Sequence, residues 1–291
     1  MIFVRLMGGL GNQMFQYALG RRLALQHGVP LKLDISWYEG QDNRSYSLGN
    51  LAMEAEIASA EEIFSLKSYS SYFPVQMAWK ASQRFLPYYK RRMVKEQKIG
   101  TYDPNILYCP DNAWLNGYWQ SEKYFQGIKK IICQDFSPRQ ELLKKVRQIA
   151  DSIHSNPYSV SIHIRRGDYL TEFSQSFAAC SIDYYKQAIS HISAIVDNPH
   201  FYIFSDDIKW AKENLALNAA MTFIEPDSKI GDFKDMYLIS QCRHHINANS
   251  SFSWWGAWLG EKTDSIVIAP NQWFTDKPYP KDTIPKRWAQ L

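Results

Sequence analysis

Two adjacent arginines stand where a buried strand should end, in Ser161-Ile162-His163-Ile164-Arg165-Arg166-Gly167-Asp168-Tyr169. A guanidinium offers planar N–H donors that match phosphate oxygens two at a time, and at the mouth of an apolar strand it must be solvated or paired. The residue types therefore point to capture of an anion, with a phosphorylated substrate as the first expectation. Asp168, three residues past Arg165, reads either as a general base or as a structural partner for one of the arginines. His163 alternates onto the same strand face as Arg165 and reads as a second candidate base or as a hydrogen-bonded spacer.

Three further groups carry potential chemistry. Gly8-Gly9-Leu10-Gly11-Asn12-Gln13 follows a short apolar run. Glycines let backbone N–H groups approach an anion, and a following helix N-terminus adds favourable potential, so Gly9, Gly11 and Asn12 are expected to face a phosphate; a tight turn is the other reading. The spacing lacks the full G-x-G-x-x-G pattern and is a weak dinucleotide signal. In Asn249-Ser250-Ser251-Phe252-Ser253-Trp254-Trp255-Gly256-Ala257-Trp258-Leu259, Ser250 or Ser251 should cap a helix, and the same N-terminus suits a second phosphate cradle. The three tryptophans have near-helical spacing and fit a core. Ser205-Asp206-Asp207 ends another strand; Asp207 is placed to cap the next helix, and the acidic pair otherwise suits guanine or ribose recognition, or a metal. No metal is expected.

These groups need strands and helices to aim them. An apolar run over residues 1–7, a helical stripe of Phe15, Leu19 and Leu23, and a strand from Val29 to Asp34 make a βαβ unit. Leu142, Leu143, Val146, Ile149, Ala150 and Ile153 form a second helical stripe, opened by Pro138 and broken at Asn156-Pro157. Beyond it the spacing predicts strands at 158–165, 200–205, 221–224, 245–248 and 265–269, with helices at about 181–196, 207–215, 232–242 and 251–260. Such alternation argues for two Rossmann-like domains, 1–155 and 156–291, with ligands outside the carboxyl ends of the strands.

The chain has 291 residues, 45% hydrophobic and 15% aromatic, ample for two packed cores. Its formal charge of +4 is too small to argue for nucleic acid. Cys109, Cys133, Cys180 and Cys242 lack C-x-x-C spacing and suit reduced thiols rather than a zinc site or a disulfide framework. The N-terminal apolar run is interrupted too early for a signal peptide or membrane span, so a soluble, cytoplasmic protein is expected, with peripheral membrane contact left open. From Tyr69 to Lys98, aromatics mix with Arg84, Lys90, Arg91, Arg92 and Lys95; this reads as a helix with a solvated basic face, or as a surface for an acidic partner or anionic membrane. Trp114, Tyr118 and Trp119 crowd a turn and fit either core packing or a sugar platform.

Four segments together resemble the α-1,2-fucosyltransferases of glycosyltransferase family 11: GGLGNQMFQYA (Gly8 to Ala18), GYWQSEKYF (Gly117 to Phe125), HIRRGDY (His163 to Tyr169) and NSSFSWWGAWL (Asn249 to Leu259). The resemblance implies a GT-B architecture, two Rossmann-like domains facing each other across a cleft. It also implies a GDP-β-L-fucose donor held mainly by the C-terminal domain, a galactoside acceptor in the interdomain cleft with the N-terminal domain on the acceptor side, and inversion at the sugar carbon. Arg165 and Arg166 match arginines aimed at the donor phosphates, and Asn12 matches a loop asparagine near the pyrophosphate and acceptor. A fixed guanidinium stabilises the charge that gathers on the β-phosphate as the C1–O bond breaks and can take the place of Mg²⁺, so no metal cofactor is expected. His163, Ser205, Asp206, Ser250, Ser251 and Phe252 complete the expected donor pocket. The competing readings are a nucleotide-dependent oxidoreductase, which leaves Arg165-Arg166 unexplained, and a noncatalytic glycan-binding protein, which needs no phosphate cradle.

Overall fold

The computed structural model describes residues 1–68, 72–171, 175, 177, 179–215, 219–227, 231–275 and 280–291. Tyr69, where the basic aromatic segment begins, lies outside the described residues. The chain divides into two compact units, one of Met1–Ser137 with Lys281–Thr283, the other of Pro138–Pro280 with Ile284–Leu291.

The first unit contains β1 (Ile2–Arg5), α1 (Leu10–His27), β2 (Leu31–Asp34), β3 (Glu56–Ile57), α2 (Ala60–Ser68), α3 (Phe73–Phe85), β4 (Met93–Lys95), β5 (Trp114–Asn116) and α4 (Lys129–Asp135). Its described strands form a parallel sheet in the order β3-β2-β1-β5-β4. Helix α1 buries Met14, Phe15, Leu19 and Leu23. Gly20 lets it press onto the sheet: a Cβ there would lie 2.4 Å from Val4 Cγ2. Trp114 is buried and its indole N–H donates to Asp34 Oδ2 at 2.9 Å, so of the two readings of this residue the core one holds. Trp119 is buried too.

The second unit contains α5 (Gln140–His154), β6 (Ser159–Ile164), α6 (Ile182–Ser193), β7 (His200–Ser205), α7 (Ile208–Asn214), β8 (Ala220–Phe223), α8 (Asp232–Gln241), β9 (His244–Ile246), α9 (Ser251–Gly260), β10 (Val267–Ala269) and β11 (Ala289–Gln290). The described strands pair in parallel in the order β11-β10-β9-β6-β7-β8. Numbered from the first strand of the unit, this is the Rossmann order 3-2-1-4-5-6. Strand β6 is buried at all six residues, as a central parallel strand requires. Trp254, Trp255 and Trp258 are buried and pack against one another, with Trp254 also against Trp288, which makes them core.

Two expectations change. The boundary falls at Ser137/Pro138 and not near 155, because Val146, Ala150 and Ile153 of α5 pack against Tyr202, Phe204, Leu238 and Ile239 of the second unit. A 3.6-residue stripe shows that a helix has a partner without saying which. The second sheet also gains β11, a two-residue strand too short for any periodicity to announce. Among the described residues no helix is long and apolar enough to cross a membrane.

Candidate functional site

In the second unit β6 has β7 on one side and β9 on the other, so the chain reverses its winding beside β6 and opens a crevice at the carboxyl ends of β6 and β9. Arg165 leaves β6 at that crevice. Its Nε and one terminal nitrogen donate to the two oxygens of Asp168 at 3.0 and 2.8 Å, and the other terminal nitrogen lies 3.1 Å from Asp206 Oδ2. A guanidinium has five N–H donors. With three engaged by carboxylates, two N–H donors remain for other partners. Burial works against the charge on Arg165, yet the carboxylates of Asp206 and Asp168 hold it above its ordinary value.

Asp206, at the end of β7, also accepts the backbone N–H groups of Arg166 and Gly167 at 2.9 and 3.1 Å. One carboxylate therefore shapes the whole turn after β6. Arg166 goes elsewhere: its guanidinium carbon lies 3.7 Å from the centre of the Trp210 ring, with Nε 3.7 Å from Asp207 Oδ2. Asp207 caps α7 by accepting the Trp210 N–H at 3.1 Å, and Ser205 accepts the Asp207 N–H at 3.0 Å. On the other side of the crevice Ser250 caps α9, accepting the Phe252 N–H at 3.2 Å. The Tyr169 hydroxyl donates to the Asn249 carbonyl at 2.9 Å and ties the loop after β6 to the loop after β9.

His163 is buried, with its ring 5.3 Å from that of Phe252. Burial, reinforced by the charge on Arg165, pushes its pKa down to about 3, so the ring is neutral at physiological pH. Among the described residues its Nδ1 has no hydrogen-bond partner.

The first unit has the corresponding reversal between β1 and β5. Gly8 follows β1 at φ +75°, a conformation that favours glycine, and a Cβ there would meet Asn12 Nδ2 at 2.6 Å. The Gly8 carbonyl accepts from Gln13 Nε2 at 3.1 Å and from the Tyr38 hydroxyl at 2.9 Å. Gln13 also donates to the Ser45 carbonyl and accepts the Ser47 N–H, both at 2.9 Å. Gly9 begins α1 with no side chain to cap it, and Arg44 lies 3.7 Å from where a Cβ of Gly9 would stand. Asn12 Oδ1 accepts from Gln120 Nε2 at 2.8 Å, joining the loop after β1 to the loop after β5. Glu96, at the end of β4, accepts the N–H groups of Tyr118 and Trp119 at 2.7 and 3.2 Å. It thereby holds the turn in which Trp119 has φ 56°. Burial pushes the Glu96 carboxyl up to about 7, against the pull of those two donors.

The sequence-expected residues thus gather at two crevices. His163, Arg165, Arg166, Asp168, Ser205, Asp206, Ser250, Ser251 and Phe252 belong to the second unit, and Gly9, Gly11 and Asn12 to the first. Sequence reasoning missed Trp210, Arg44 and Glu96, and named no role for Gln120 although it lies in one of the matching segments. Nothing in their spacing marks them, since each reaches its partner across tens of residues. Among the described residues no group of three or more His, Cys, Asp or Glu side chains could hold a metal ion.

The family model of glycosyl transferase family 11 matches residues 1–291. An alpha-1,2-colitosyltransferase of Escherichia coli is 33% identical over 300 residues, covering 100% of this chain and 98% of that protein. Galactoside alpha-(1,2)-fucosyltransferase 1 of Homo sapiens is 27% identical over 164 residues, 53% of this chain and 45% of that protein. Among solved structures, NodZ alpha-1,6-fucosyltransferase of Bradyrhizobium, soaked with GDP-fucose, superposes with a TM-score of 0.54 at 16% identity, covering 89% of this chain and 91% of that one. The two parallel sheets are those of a GT-B fold, and the match of the whole chain to a glycosyltransferase family removes the oxidoreductase and glycan-binding readings. With its fold and its whole length accounted for, the chain belongs to glycosyl transferase family 11, a glycosyltransferase that takes a nucleotide-sugar donor and a glycan acceptor.

Proposed function

We propose that the protein is an inverting α-1,2-fucosyltransferase, moving L-fucose from GDP-β-L-fucose to the 2-hydroxyl of a terminal galactoside without a metal ion. The observation that carries this reading is the braced pair of arginines at the crevice of the second unit. In the proposed reaction the acceptor oxygen attacks the anomeric carbon from the face opposite GDP, and the C1–O bond breaks. The electron pair of that bond goes to the β-phosphate oxygen, and the proton of the acceptor hydroxyl passes to solvent water, since Asp168 is engaged by Arg165 and His163 is too weakly basic to take it. Arg165 is the catalytic residue in this reading, because the charge it stabilises is larger in the transition state than in the bound donor. Arg166 and the N-terminus of α9, with Ser250, Ser251 and Phe252, hold the remaining phosphate and nucleoside groups.

Asp168 and Asp206 are positioning residues in this scheme. Both oxygens of Asp168 are engaged by Arg165, and Asp206 holds the turn. His163, weakly basic at pKa about 3, serves as a neutral hydrogen-bonding group beside the donor. Asn12, with Gly9 and Gly11, forms the acceptor-side loop near the pyrophosphate. The free thiols of Cys109, Cys133, Cys180 and Cys242 support a reducing, cytoplasmic setting.

The test is calorimetric titration in excess EDTA with the GDP esters of L-fucose, of its 3-deoxy analogue colitose and of mannose, and with a UDP-sugar, on wild type and Arg165→Ala. Metal-free binding of GDP-fucose, weakened in the variant, is the expected result. Preference for GDP-colitose would replace the sugar and keep the site. Full transfer by a folded Arg165→Ala protein would sink the mechanism.

A further inference from the structure

We propose that helix α3 and the segment after it are a docking surface for an anionic lipid bilayer. Helix α3 packs on its own unit along one stripe: Gln76, Trp79 and Gln83 are half-buried, and Gln83 Oε1 accepts the Arg92 N–H at 2.9 Å. At 100° per residue the opposite arc carries Pro74, Met77, Ala78, Ala81 and Phe85, all exposed. None of these five has a polar side chain. A helix on the surface of a soluble domain turns its apolar stripe inward and its polar face to water. In α3 the two glutamines face the protein while Met77, 49% exposed, and Phe85, 90% exposed, face out. The solvated basic face expected from sequence is absent from the outermost arc, and the basic residues lie beside it.

Lys80 and Arg84 flank the apolar arc on one edge. After the helix the chain turns at Leu86-Pro87, and Arg91 folds back to donate to the Leu86 carbonyl at 3.0 Å and to the Arg84 carbonyl at 3.5 Å. Its guanidinium is thereby fixed next to Phe85. Between Tyr72 and Arg92 the sequence has five basic residues and no acidic one. An exposed apolar arc with a cationic fringe is the design of an interfacial helix, whose rings enter the headgroup boundary while the cations meet anionic lipids. A second copy of this chain is a poor occupant, because a self-complementary contact would set the five cations of one protomer against those of the other. The inference is independent of the donor and acceptor reading.

Vesicle co-sedimentation tests it, with pure phosphatidylcholine and with phosphatidylcholine containing 30% (roughly one lipid in three) phosphatidylglycerol, a charge density chosen to give a strongly negative surface. Binding is expected only to the anionic vesicles and should weaken in high salt. Lys80→Gln with Arg84→Gln should lower partitioning about 25-fold, roughly fivefold per basic residue removed. Met77→Ser with Phe85→Ser should abolish it while far-ultraviolet circular dichroism and thermal unfolding stay as in wild type. Wild-type protein that ignores anionic vesicles, or variants that bind them equally well, would overturn the proposal. So would concentration-dependent dimerisation lost in Met77→Ser with Phe85→Ser but without vesicle binding.

Discussion

The two crevices are built on one plan and finished in different materials. Each lies where a parallel sheet reverses its winding, and each is bridged by a hydrogen bond between the loops on either side, Gln120 to Asn12 in the first unit and Tyr169 to Asn249 in the second. In the first unit the surrounding network is carried mainly by amides and a phenol, with Gln13 and Tyr38 donating to the Gly8 carbonyl and the Ser47 N–H donating to Gln13 Oε1. In the second, two guanidiniums meet three carboxylates. Neutral groups fix shape at little electrostatic cost and suit a ligand read by its hydroxyls. Charged groups fix a potential as well, and suit a ligand whose charge moves during reaction.

The strongest way to break the comparison is to discharge the second crevice. Arg165→Ala should lower kcat on the order of 100- to 1,000-fold with the protein still folded, as loss of a preorganised donor does elsewhere. Arg165→Lys should recover little, since an ammonium cannot span Asp168 and Asp206 in one plane. The next effect is acid instability of the second unit. His163 titrates near 3 when folded and at its ordinary 6.5 when unfolded, so below 6.5 the unfolded chain binds the extra proton. The stabilisation is complete above 6.5 and is lost as pH falls toward 3. It amounts to roughly a few kcal/mol, and His163→Asn should flatten that limb of the stability curve in denaturant titrations.

The first unit should answer differently. Glu96 titrates near 7 when folded and near 4.5 when unfolded, so its stabilising contribution is complete below 4.5 and is lost as pH rises through 7. Opposite pH slopes for the Glu96→Gln and His163→Asn differences would sharpen the contrast; slopes of one sign would remove it. Gly8→Ala should cost about 1–2 kcal/mol through the backbone alone, because the residue sits at φ +75°. The clash with Asn12 should add an acceptor KM defect. Gln120→Leu is the smallest, about 1 kcal/mol, read as a shift in thermal midpoint and a raised acceptor KM with kcat kept.

Much of this is legible in the sequence. The boundaries of β7 and α9 fall where Ser205 and Ser250-Ser251 put them, because strand ends and helix caps are local chemistry. The loops that line both crevices are legible too, since loops at the carboxyl ends of strands carry polar residues that cores cannot hold. The braces are not. That Asp206 shapes the Arg166-Gly167 turn, or that Trp210 takes Arg166, depends on which strands lie side by side, and sequence spacing carries no such term. The membership of α5 was hidden for the same reason.

The short return of Lys281–Thr283 to the first unit has a consequence for synthesis on the ribosome. Asp282 accepts the Tyr102 N–H at 2.9 Å and pairs with Lys123, and its own N–H donates to the Gly100 carbonyl at 2.9 Å. The unit that emerges first therefore lacks this piece until residues 281–283 have been made. At bacterial-like elongation of about 5–20 residues per second, that wait is on the order of ten seconds. Throughout it the edge near Gly100 and Tyr102 is open to a chaperone or a protease. A chain cut short before Lys281 would leave that vulnerability permanent.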